Sequence, residues 1–151
     1  MKSRMRKIFA SLVMILVAGT FAIRAQSAAD LVDICRTSAG DDATYLKDFP
    51  VELEAAKPNE KAPMAKFSMI LSKNTKYRFS ICTSETSEGK AVLQLYDENK
   101  LMGSTYNSST GKDYHSIDLN CTKTGIYHVF ISFQDGKAGS AVGILSFIEK
   151  L

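Results

Sequence analysis

The chain has 151 residues, 45% of them hydrophobic and 23% charged, with a formal net charge of +3 and three cysteines. Five of its 19 basic side chains and none of its 16 acidic ones lie in residues 1 to 25, so the remainder carries 14 basic against 16 acidic groups, a net of −2. The basic excess belongs to the front segment, so no basic footprint for nucleic acid is left, and about 126 residues remain for one domain with one core.

The front segment, "MKSRMRKIFASLVMILVAGTFAIRA", opens with Lys2, Arg4, Arg6 and Lys7. An apolar run from Ile8 to Ile23 follows, interrupted only by Ser11, Gly19 and Thr20. It is short of the roughly 20 apolar residues that a bilayer span needs. The pattern predicts a secretory signal peptide, cut after Ala25 or, alternatively, after Ala28. Cys35 lies too far from the apolar run for a lipoprotein box. No stable membrane anchor is expected after cleavage.

Residues 26 to 48 are predicted to form an N-terminal arm, with a short helical turn from Ala28 to Arg36 carrying Leu31, Ile34 and Cys35 on one side. Gly40-Asp41-Asp42 ends it. From Phe49 onward the apolar residues recur at every second position. Phe49, Val51 and Leu53 alternate with polar neighbours. A polar loop with two prolines follows (55 to 63). "AKFSMIL" and "KYRFSIC" flank the turn "SKNT", where Asn74 suits a left-handed conformation. "AVLQLYD" leads through "DENK" to the weaker "LMGSTY". After the loop "NSSTGKD", "YHSIDLNC" aligns His115, Ile117, Leu119 and Cys121. In "GIYHVFISF", Tyr127, Val129, Ile131 and Phe133 face one way, His128 and Ser132 the other. "AVGILSFI" is apolar on both faces.

About eight short strands at roughly ten-residue spacing predict an all-β, jelly-roll-like antiparallel sandwich over residues 49 to 151. Clean alternation suits sheets with one packed face and one wet face.

Three stretches, "MILSKNTKYRFSIC", "AVLQLYDENKLMGSTY" and "IDLNCTKTGIYHVFISF", resemble the bacterial pre-peptidase C-terminal domain over roughly residues 64 to 148. The residues that carry the likeness are Tyr77 and Phe79, Leu93 to Asp97, and Gly125, Tyr127, Val129 and Ile131. The resemblance implies a small jelly-roll-like sandwich, an accessory module of secreted enzymes. The chain is also similar to small stand-alone exported proteins of Bacteroidetes.

An odd number of cysteines in an exported chain leaves one over. Cys82 and Cys121 each end a strand before a polar turn, and a Cys82–Cys121 disulfide is the expected pairing. Cys35 with either is the rival, and three free thiols the third reading. Alternation itself speaks against Cys82–Cys121, because Cys82 lies opposite Tyr77, Phe79 and Ile81 while Cys121 shares a face with Leu119.

No catalytic constellation is evident: there is no G-x-S-x-G, and a cysteine nucleophile with His115 or His128 lacks an activating environment. His115, His128 and Asp118 offer metal-ligand chemistry, but Asp118 falls on the face opposite His115. Asp41 and Asp42, with Asp48 nearby, fit no Ca²⁺ loop and read as a solvated acidic turn. No cofactor and no metal are expected. Tyr96, Tyr106 and Tyr114 flank the two central loops and are the candidate ligand-facing aromatics, able to stack on sugar rings or simply to cover the sheet. The expected function is a non-catalytic binding module for a glycan or protein partner; the alternative is an accessory subunit without a small ligand.

Overall fold

The computed structural model describes residues 27–151, so the segment expected to be a signal peptide lies outside the described residues. One helix precedes ten strands. Helix α1 spans Ala28–Ser38. Strands β1 (Thr44–Leu53), β2 (Ala65–Leu71), β3 (Thr75–Thr83), β4 (Ala91–Asp97) and β5 (Lys100–Ser104) follow. Next come a two-residue hairpin, β6 (Tyr106–Asn107) and β7 (Lys112–Asp113), then β8 (Ser116–Cys121), β9 (Gly125–Phe133) and β10 (Gly139–Lys150).

Eight strands make two four-stranded antiparallel sheets, ordered β1-β10-β3-β8 and β2-β9-β4-β5. Successive long strands cross from one sheet to the other, apart from the β4–β5 hairpin. This is the wrap of a jelly roll, an eight-stranded sandwich of two Greek keys. The alternation seen in the sequence lines the interior: Phe49, Phe79, Leu93, Leu95, Val129 and Ile131 are fully buried between the sheets. Each such side chain contributes about 1.5–3 kcal/mol by leaving water. Gly143 lets the sheets close, since a Cβ there would meet Ile131 at 3.0 Å and Leu93 at 3.3 Å. Asn74 takes its left-handed conformation (φ 59°) in the β2–β3 turn.

β1 begins at Thr44, five residues ahead of the visible alternation. β10 is central, between β1 and β3. Its two apolar faces have separate causes. Ala141 and Leu145 point into the sandwich, whereas Val142 and Ile144 pack outward against Leu31 and Cys35 of α1. The helix starts at a capping box, in which Ser27 Oγ accepts from the Asp30 amide at 3.1 Å and Asp30 accepts from the Ser27 amide at 3.3 Å. That satisfies two of the free amides at the helix start. Ile34, expected beside Leu31 and Cys35, instead projects into solvent, 53% exposed.

The expected Cys82–Cys121 disulfide is corrected. Cys35 of α1 bonds to Cys82, with Cα atoms 5.6 Å apart, and Cys121 is a buried free thiol. The pleat supplies the reason. Cys82 points out of its sheet, under α1, while Cys121 points into the core with Leu119. Cys121 also pairs with Thr75, at the opposite end of β3 from Cys82. Seven residues of strand, about 23 Å, separate those positions.

Candidate interaction face

The two sheets differ in what covers them. The outer face of β1-β10-β3-β8 carries α1, fixed by the disulfide and by Arg78. Arg78 donates to both carboxylate oxygens of Asp118 (2.8 and 3.0 Å), to Asp42 (2.8 Å) and to the Ala39 carbonyl (2.9 Å) just past the helix. These bonds hold the Asp118 carboxyl below its ordinary range; burial works in the opposite direction. Asp118 and Asp42, weighed above as metal ligands, are therefore engaged with a guanidinium.

Among the described residues, nothing of this kind covers the outer face of β2-β9-β4-β5. The register places its side chains in rows. Ile70 lies opposite Ile126, Ser68 opposite His128, and Lys66 opposite Phe130. On the other side of β9, Tyr96 lies opposite His128 and Gln94 opposite Phe130, and Leu101 of β5 adjoins Tyr96. Of the ten large hydrophobic residues exposed among the described residues, five (Met64, Ile70, Leu101, Met102 and Ile126) lie on this face or its rim. Ile70 is 75% exposed and Ile126 57%. Adjacent exposed apolar side chains such as Ile70 and Ile126 are of the kind found at interaction sites.

Within the face, Tyr96 and Phe130 pack edge to face, ring centroids 5.3 Å apart and planes at 78°. Lys66 Nζ lies 5.5 Å from the Phe130 centroid. Met64, Gln94, Tyr96, Glu98, Asn99 and Phe130 enclose a shallow depression of about 260 Å³. The Ser68 hydroxyl and His128 Nδ1 share a hydrogen bond of 2.8 Å.

The three tyrosines singled out in the sequence do not share one site. Tyr96 lines this depression. Tyr114, half exposed, lines a crevice of about 390 Å³ with Ile34, Cys82 and His115 beside α1. Tyr106 lines neither and stands on the β6–β7 hairpin, paired with Asp113. His128 lies on the open sheet and His115 just before β8 of the other, so the histidines are not brought together. Among the described residues no three His, Cys, Asp or Glu side chains gather as metal ligands. The Cys121 thiol donates to the Lys123 carbonyl (3.2 Å) and the Tyr127 hydroxyl (3.6 Å). Burial, then contact with Cys121, pushes the Tyr127 hydroxyl well above its ordinary value.

Phe130 is the residue the sequence reading passed over. The signal was present, because alternation assigns 126, 128, 130 and 132 to the wet face, where a phenylalanine is out of place.

Fold and face together define a jelly-roll sandwich with one roofed and one open sheet. No family model matches the chain, and no curated protein shows significant similarity to it.

Proposed function

We propose that the protein is an exported, non-catalytic binding module that contacts its partner through the outer face of β2-β9-β4-β5. The observation that carries this reading is the asymmetry of the sandwich among the described residues: α1 roofs one sheet, and the other is left open with Ile70, Ile126, Leu101 and an aromatic pair on its surface. Export is supported by the character of residues 1 to 25 and by the Cys35–Cys82 disulfide, a bond characteristic of oxidising compartments. Among the described residues no helix is long and apolar enough to cross a membrane. The resemblance to the pre-peptidase C-terminal domain points the same way, toward an accessory module.

A second reading, an accessory subunit that docks on another protein and takes no small ligand, is favoured by the Ile70–Ile126 pair, since adjacent exposed isoleucines suit a protein surface. Both readings use the same face. A photo-crosslinking amino acid at Leu101 is expected to give a discrete adduct in cells that export the protein. The same residue at Asn120, exposed on the other sheet, is expected to give none. Equal yields from the two positions would remove the proposal.

A further inference from the structure

We infer that the depression beside Tyr96 is a subsite for one neutral sugar ring of a glycan chain. The inference rests on the contact-face reading and narrows it to a ligand class. At about 260 Å³ the depression is smaller than the roughly 300–1,000 Å³ of pockets that engulf a small molecule. It opens on the sheet surface, so it suits one unit of a polymer that continues past it. A pyranose has an apolar C–H face and a rim of hydroxyls, and the lining divides in the same way. Tyr96, Phe130 and Met64 supply apolar wall; Gln94, Glu98 and Asn99 supply planar groups able to take neighbouring hydroxyls. Lys66 already lies over the Phe130 ring, which leaves Tyr96 as the stacking surface.

Among the described residues, Glu98 is the one charged side chain in the lining. Its neighbour Asp97 is ion-paired with Lys123 at 3.1 Å, and Glu98 acts on the same ammonium from farther off without pairing with it. Glu98 also holds a left-handed backbone (φ 53°) in the β4–β5 turn, a conformation that Asn or Gly would adopt with less strain. The two-residue hairpin loop between Asp97 and Lys100 calls for a positive φ at this position, and it projects Glu98 at the edge of the depression. A carboxylate in the depression selects against acidic sugars, so the glycan is neutral.

The test is affinity gel electrophoresis of the purified protein through mannan, mixed-linkage glucan, galactan or arabinan, with polygalacturonate as the acidic comparison. At least one neutral polysaccharide is expected to retard the protein, and polygalacturonate is not. Tyr96→Ala and Glu98→Asn should each weaken retardation at least tenfold. Tyr96→Phe should preserve it, and so should Asn120→Ala on the other sheet. Thermal melts of each variant separate lost binding from lost fold, and Glu98→Asn should melt no lower than the parent. Retardation that survives Tyr96→Ala overturns the subsite. Absence of retardation with every neutral polysaccharide overturns it too. If the Leu101 crosslinker then still captures a protein, the contact face stands with a protein as its partner; if it captures nothing, both readings fall.

Discussion

Arg78 is the side chain on which the roofed sheet depends. Its fork spans Asp118, Asp42 and the end of α1, a geometry that a lysine ammonium cannot reproduce. Arg78→Lys is expected to cost about 1–2 kcal/mol in urea unfolding, the figure being held down because Asp42 is more than half exposed. Asp118 gives the matching pH dependence. Its folded-state pKa lies below the ordinary value of about 3.9, so its contribution is fully present above that value and is lost as pH falls through the folded one. Wild-type stability should therefore decline more steeply below about pH 4 than that of Asp118→Asn. Ser80 behaves in the opposite way. Its hydroxyl is buried without a hydrogen-bond partner among the described residues, so Ser80→Ala should leave stability unchanged or raise it by up to about 1 kcal/mol. None of these roles is legible in the sequence, where Arg78, Ser80 and Cys82 are simply the alternates to Tyr77, Phe79 and Ile81. The pattern says that they leave the core; only the docked helix decides whether they meet water, a partner or nothing.

At the scale of the element, α1 and β10 explain each other. An apolar strand with no polar face was visible in "AVGILSFI", and so were Leu31 and Cys35 at helical spacing. What the sequence did not contain was the link between them, because helix-on-sheet docking joins segments about a hundred residues apart. The same gap accounts for the disulfide. Alternation already argued against Cys82–Cys121, and it took the position of α1 to supply the correct partner. Closing a loop of 47 residues contributes about 4 kcal/mol in the chain-entropy model. Cys35→Ser with Cys82→Ser should lower stability by an amount of that order. Thiol titration without reductant should find no reactive cysteine in the native protein and one, Cys121, after denaturation. Two or three thiols in the unfolded, unreduced chain would contradict the pairing.

For the whole molecule, period-two patterning and evenly spaced turns were enough to anticipate a jelly-roll-like sandwich, because each strand's inward face is written locally. Strand order and the unequal cover of the two sheets are not local properties, and the candidate site depends on both. Tyr96 was legible as an aromatic beside a turn. Its neighbours Phe130 and Lys66 come from β9 and β2, and Met64 from just ahead of β2, all distant in the chain and brought to it only through the order β2-β9-β4-β5. The open sheet is the proposed contact surface. Hydroxyl-radical footprinting tests it most directly, on the purified protein alone and then with the envelope fraction of the cells that produce it. Met64, Ile70, Leu101, Met102 and Ile126 are expected to be oxidised in the free protein and protected by the fraction, while exposed Leu46 and Ile34 stay reactive and Val142 and Ile144 are shielded in both. Protection centred on Leu46 or Ile34, with the open sheet still fully oxidised, would contradict it.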